Sequence, residues 1–245
     1  MDKKSSIISV ENVSMAFNLA TEKVDSLKEY ILKLVQGKLL VQQFYALTNI
    51  NLEVKRGESV ALIGVNGCGK STLLKIIAGV MHPAKGCVTV NGSIAPLIEL
   101  GAGFDPDLTA RENVFLNGAV LGHDRRFMEA HFNSIIDFAE LWDFVDVPVK
   151  NFSSGMIARL GFAIATEVRA DVLIVDEVLS VGDFRFQEKC HKRMAEMMSG
   201  GTTLLFVSHS TKQVRELCQK AMWLQKGIIV KFGDVNEVCD AYEKS

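Results

Sequence analysis

Residues 64–71 read Gly64-Val65-Asn66-Gly67-Cys68-Gly69-Lys70-Ser71, a GxxxxGKS run placed between a short apolar segment, Ser59–Ile63, and a helical pattern over residues 70–78. Glycines at these positions let backbone N–H groups turn inward around phosphate oxygens. The N-terminus of the following helix adds partial positive charge, and Lys70 supplies a mobile cation for the outer phosphates. The Ser71 hydroxyl is suited to Mg²⁺. A strand, glycine turn and helix in this order restrict the chain to an α/β nucleotide-binding unit.

A second apolar segment, residues 172–175, ends in the adjacent carboxylates Asp176 and Glu177. Strand ends in such sheets point into the ligand crevice. Asp176 then holds Mg²⁺ through water, and Glu177 polarises the water that attacks the γ-phosphate while the metal and Lys70 neutralise developing charge. Alone, the pair reads as a solvated acidic turn; with GxxxxGKS upstream it reads as catalytic. His209 follows the strand-like residues 204–208, so it too sits at a strand end where it can contact the γ-phosphate. His82, His123, His131 and His191 lack such placement and read as structural.

The chain has 245 residues, 48% of them hydrophobic, enough for a large buried core. Its apolar runs are strand-length, far short of the roughly 18 residues a membrane helix needs. The N-terminus lacks the apolar stretch and cleavage site of a secretory signal, so a cytoplasmic location is expected. The five cysteines are scattered and without CxxC spacing, which predicts reduced thiols rather than disulfides or zinc. Cys68 lies inside the phosphate loop, where alkylation is expected to block nucleotide entry. A net charge of −2 with both signs interleaved offers no basic face, so no nucleic-acid partner is expected.

Residues 7–13 and 50–54 alternate at period two and predict a small antiparallel sheet. Between them, Val24, Leu27, Ile31 and Leu34 recur at helical spacing over residues 22–35, an amphipathic helix within an insertion spanning 18–44. Residues 110–170 read as a helical subdomain broken by Pro148 and a loop at Ser153-Ser154-Gly155. A buried strand at Thr203–Val207, a polar helix over 187–198, a hairpin over 222–231 turning at Lys226-Gly227 and a short helix complete the chain. The expected fold is α/β: a P-loop ATPase core with a small antiparallel β subdomain and an inserted α-helical subdomain, in a single domain over residues 1–245.

These motifs, in this order, resemble the ATP-binding cassette family, because Phe152-Ser153-Ser154-Gly155-Met156 is similar to that family's LSGGQ signature. The resemblance covers nearly the whole chain. It implies ATP and Mg²⁺ as cofactors, bound by Gly64, Asn66, Gly67, Cys68, Gly69, Lys70, Ser71 and Thr72. It also implies a head-to-tail homodimer with two composite ATP sites, in which Ser153 and Gly155 of one copy meet the γ-phosphate held by the other. Ser180-Val181-Gly182-Asp183 takes the family's D-loop position across the interface. Phe17 is placed on adenine, with Tyr45 as the fallback. The signature departs from the family at Phe152, Ser154 and Met156 but keeps both phosphate-facing positions. Where the family has a metal-linking glutamine this chain has Glu99 or Leu100, and Glu99 can reach the metal through water.

The signature residues, the run Glu99-Leu100-Gly101-Ala102-Gly103-Phe104 and the later Leu108-Thr109-Ala110-Arg111-Glu112-Asn113 are similar to the polysaccharide-exporting branch of that family. This resemblance implies an ATPase driving export of a lipid-linked, O-antigen-like glycan through a separate polytopic permease, with teichoic acid, capsule or another lipid or peptide as alternative cargo. It also places helix 22–35 near the membrane at the substrate entrance, although the same stripe fits a helix packed on its own sheet. No C-terminal carbohydrate-binding module is expected. A cassette ATPase acting on ribosomes or DNA fits less well, since the chain has one GxxxxGKS and no long heptad run. A P-loop kinase would gain nothing from Ser153-Ser154-Gly155.

Overall fold

The computed structural model describes residues 6–20, 41–97, 100–101, 103–167, 170–176 and 183–245. Strands β1 (Ser6–Ala20), β2 (Val41–Lys55) and β4 (Lys85–Val90) form an antiparallel sheet in the order β2-β1-β4. Strands β3 (Ser59–Ile63), β5 (Ile94–Leu97), β6 (Val172–Asp176), β7 (Thr203–Val207), β8 (Lys220–Gln225) and β9 (Ile228–Asp234) form a six-stranded sheet in the order β5-β6-β7-β3-β8-β9. Its first five strands run parallel, and β9 returns antiparallel to β8.

Alternation within the central strands sets two cores. Ala61 and Ile63 of β3, Leu173 and Val175 of β6, and Leu204 and Phe206 of β7 face one side. Val60, Leu62, Val172, Ile174, Leu205 and Val207 face the other. Strands buried on both faces read as unbroken apolar runs, which is why β3, β6 and β7 were legible from sequence. On the second side, helix α1 (Lys70–Ile77) packs Leu73, Leu74, Ile76 and Ile77 between this sheet and the apolar face of the antiparallel one. On the first side lie α2 (Ala110–Val120), α3 (Arg125–Ala139), α4 (Ser154–Glu167), α5 (Phe184–Ser199), α6 (Thr211–Leu217) and α7 (Val235–Glu243).

Several boundaries differ from the sequence reading. β1 and β2 run well beyond residues 7–13 and 50–54, and their ladder continues to the pair Ala20↔Val41. The period-two signal stops early because Asn12 and Asn49 take positive φ, 52° and 51°, and the register shifts beside them. Such bulges reverse the side-chain alternation while the strand continues. The ends of the expected 18–44 insertion are therefore strand, and its helix at 22–35 lies outside the described residues. Strands β4 and β5 went unread because Gly86, Gly92 and Pro96 look like breakers; β5 is an edge strand, where proline is tolerated. The expected loop at Ser153-Ser154-Gly155 is shorter than predicted, because Ser154 and Gly155 already belong to the first turn of α4.

One buried amide shapes the entry to the helical subdomain, and one close approach packs it against the segment after β5. Asn113 on α2 accepts from the Asp105 N–H (2.8 Å) and donates to the carbonyls of Asp105 (2.9 Å), Leu108 (3.2 Å) and Thr109 (3.0 Å), so a single side chain closes the turn that enters α2. Thr109 and Glu112 add a capping box. Gly101 (φ 84°) lies against α4: a Cβ there would stand 2.3 Å from Ile157 Cγ2, and one on Gly161 would stand 2.9 Å from the Gly101 nitrogen. Replacing Asn113 by alanine leaves the Asp105 N–H without its partner and removes a second donor from three carbonyls that each keep one backbone N–H. Thermal unfolding should show a loss of about 2–3 kcal/mol and a midpoint lowered by roughly 6–10 °C.

Candidate functional site

Strands β6, β7 and β3 are neighbours, and their C-terminal ends lie in register: Val207 pairs with Asp176 on one side and with Leu62 on the other. The loop 64–69 leaves β3, Asp176 closes β6, and His209 stands two residues beyond β7. A concavity of about 340 Å³ opens over these ends and is lined by Asn66, Gly67, Gly69, Lys70, Ser71, Thr72, Asp176 and His209. Residues distant in sequence thus meet because parallel strands deliver their ends to one edge.

Lys70 is buried, and its ammonium donates to the carbonyls of Gly64 (2.7 Å) and Val65 (3.0 Å). The loop therefore wraps the cation and holds it over the concavity. Ser71 Oγ donates to Asp176 Oδ2 at 3.3 Å, bringing a hydroxyl and a carboxylate together next to that cation. Gly69, at φ 109°, begins α1 without a side-chain cap, so the first helical N–H groups are not taken by a capping side chain. Only glycine fits there, since a Cβ would stand 2.5 Å from the Ala46 carbonyl oxygen.

Gly64 and Cys68 do not line the concavity. Gly64 contributes its carbonyl to Lys70. Cys68 is 2% exposed, its sulfur belongs to the core beneath the loop, and its carbonyl accepts the Gly227 N–H at 3.0 Å. The expectation of an accessible thiol at the nucleotide entrance is therefore corrected: the Cys68 side chain packs into the core beneath the loop.

Phe17 lines the concavity, whereas Tyr45 does not. Tyr45 pairs with Ala16 on the other face of the β1–β2 ladder, where its hydroxyl donates to Gln43 Oε1 (3.2 Å). Phe44, which the sequence reading passed over, pairs with Phe17 and lines the concavity with Ala46. Alternation across Phe44-Tyr45-Ala46 carries that information once the face of any one residue is known.

The signature residues lie elsewhere on the chain. Ser153 is exposed and caps α4, its Oγ accepting the Met156 N–H at 3.2 Å; Gly155 follows in the first turn, half-buried. Asp183 caps α5, accepting from the Phe186 N–H (3.0 Å) and the Arg159 guanidinium (2.6 Å). The Phe186 N–H, with the nearby Arg159 charge, holds its carboxyl below the ordinary range. Within one chain, Ser153, Gly155 and Asp183 do not line the concavity over Lys70. Glu177, Glu99 and residues 180–182 lie outside the described residues.

The sequence pattern of the ABC transporter family matches residues 47–180. The chain is 39% identical over 245 residues to the O-antigen export system ATP-binding protein RfbB of Klebsiella pneumoniae, covering 98% of each chain. It is 41% identical over 237 residues to the teichoic acids export ATP-binding protein TagH of Bacillus anthracis, spanning 97% of this chain and 42% of that one. Among solved structures it resembles an ATP-binding subunit of an ABC transporter, with a TM-score of 0.77, 22% identity and coverage of 97% and 94%. A dimeric post-hydrolysis ATP-binding cassette bound to ADP and phosphate superposes with a TM-score of 0.73 at 22% identity, covering 93% and 98%. A lysine-filled phosphate loop at the end of β3, an acidic end to β6 and end-to-end likeness to export ATPases have one common explanation: this chain belongs to the ABC transporter family, as one of its ATPase subunits.

Proposed function

We propose that this chain is the ATPase of an exporter that moves a lipid-linked, O-antigen-like polysaccharide across the cytoplasmic membrane through a separate polytopic permease. The observation that carries the catalytic half is the meeting of Lys70, Ser71, Asp176 and His209 at three adjacent strand ends. The cargo half rests on likeness to O-antigen export ATPases. Teichoic acid is the second reading, supported by 41% identity to a teichoic acid export protein.

In this reading the backbone N–H groups of residues 66–72 and the α1 N-terminus receive the phosphates of ATP. Lys70 shifts from its loop carbonyls to the outer phosphates, and His209 orients the γ-phosphate from the neighbouring strand end. Ser71 and Asp176 suit Mg²⁺, a hard cation that takes one or two protein oxygens together with phosphate oxygens and water. When bound, the metal neutralises charge on the phosphates. Glu177, next to Asp176 in sequence, accepts the proton of the attacking water, and Glu99 would help to hold the metal through water. Phe17 stacks on the base. Two copies face each other head to tail, and each presents Ser153 and Gly155 to the other's γ-phosphate; the exposure of Ser153 at the start of α4 is compatible with that role. Asp183 acts at the same interface.

Among the described residues no helix is long and apolar enough to cross a membrane. Attachment at the cytoplasmic face is therefore assigned to the permease. A concavity of about 350 Å³ suits that contact, because its lining is mainly apolar and includes Pro96, Leu100, Phe104, Val120, Leu121 and Ile164. Val120 is 72% exposed there. The groove touches both α4 and the loop after β5, so a permease segment seated in it would press on the signature helix and on the nucleotide core together.

Glu177→Gln should retain ATP binding and lower turnover by at least about 100-fold, with an ATP-bound dimer accumulating on size-exclusion chromatography; normal turnover removes Glu177 from the mechanism. Val120→Asp should leave the ATPase activity of the isolated subunit near wild type but abolish co-purification with the permease, whereas intact co-purification would place the contact elsewhere. Under native conditions, mass spectrometry after alkylation should find exposed Cys87 modified well before Cys68, with ATPase activity retained at that stage.

A further inference from the structure

Phe17 and Phe44 are directly opposed partners in the β1–β2 ladder, and both line the concavity over the phosphate loop. We infer that the two rings form one platform on which the nucleotide base lies, so that Phe44 is a base-binding residue in its own right. The inference rests on the nucleotide reading of the pocket given above and adds to it a second stacking group from a different strand.

Directly opposed residues of an antiparallel pair present their side chains on the same face, with Cβ atoms about 4.5–5.5 Å apart. That separation is too small to sandwich a base, because a ring inserted between two others needs about 3.5 Å on each side. Two rings side by side are instead wide enough to support the double ring of a purine. The phosphate end of the ligand is fixed relative to this platform. Ala46, the next residue on the same face of β2, has its carbonyl against both Gly69 and Gly227; added Cβ atoms there would stand 2.5 and 2.7 Å from it. The Thr48 N–H donates to the Gly227 carbonyl (2.8 Å) and the Gly227 N–H to the Cys68 carbonyl (3.0 Å), tying β2 and the β8–β9 turn to the loop. Phe44 then stands two residues farther out, about 7 Å along the strand.

Exposure points the same way. Phe44 is 47% exposed, although Ala46 beside it on that face is buried. A phenyl ring left half in water at the mouth of a polar pocket gains apolar burial when a flat ring covers it. Stacking engages the π-face of a base and ignores its edge substituents. Phe44 therefore raises affinity for nucleotides without choosing between adenine and guanine.

The test is titration calorimetry on the full chain with ADP, GDP and inorganic triphosphate. Phe44→Ala should weaken ADP and GDP by a similar factor, about ten-fold, and leave triphosphate binding unchanged. Phe44→Trp should return both nucleotides to within about two-fold of wild type. Lys70→Ala serves as the reference and should weaken all three ligands. Wild-type ADP affinity in Phe44→Ala, with Lys70→Ala impaired, overturns the platform and leaves the nucleotide site standing. Equal losses for ADP and triphosphate in Phe44→Ala also overturn it, since they report a disturbed phosphate loop. Unchanged binding in Lys70→Ala overturns the nucleotide reading itself, and the platform with it.

Discussion

Val207 sits between two partners, Asp176 of β6 and Leu62 of β3, and this pairing of three parallel strands fixes the position of the charged groups described at the site. The strands are short and buried on both faces, so their register is held by side chains locked into two separate cores. A slip of one residue would exchange Leu173 and Val175 with Val172 and Ile174 between those cores. It would also carry Asp176 away from Ser71. The 3.3 Å contact between Asp176 and Ser71 is thus a consequence of hydrophobic register.

The antiparallel sheet reaches the phosphate loop through backbone contacts. The Ala46 carbonyl occupies space that only glycine leaves open at positions 69 and 227, and the β8–β9 turn is hydrogen-bonded to both sides of that contact. Lys226 and Gly227 both take positive φ, the conformation of a two-residue hairpin whose twist matches its strands. A turn at the far end of the sequence therefore braces the loop at residues 64–69, and places β2 with its aromatic face at the mouth of the pocket.

A third set of contacts joins the signature helix to the segment after β6. Arg159 on α4 pairs with Glu140 (3.2 Å) and Asp183 (2.6 Å) and lies 4.7 Å over the Phe186 ring, while Lys189 of α5 pairs with Glu140 (3.1 Å). These groups are partly solvated, so their contribution is chiefly geometric. They join α4 to the N-cap of α5 through the Arg159–Asp183 pair.

Local features were legible from the residues alone. GxxxxGKS between an apolar strand and a helix, two carboxylates closing an apolar run, and a histidine just beyond another run each carry their meaning within about ten residues, because backbone conformation and strand burial are set at that range. β3, β6, β7 and the terminal hairpin were legible as well. The ends of β1 and β2 were not legible, since Asn12 and Asn49 shift the alternation by which strands are recognised. The edge strand β5 was hidden by Pro96. Pairing emerges only in the folded chain: Phe44 rather than Tyr45 shares a face with Phe17, and the Cys68 thiol turns into the core. There, likewise, Asn113 closes the turn before α2. Each of these depends on which surface a neighbouring strand or loop presents, and that is fixed by the packing of segments far apart in the chain.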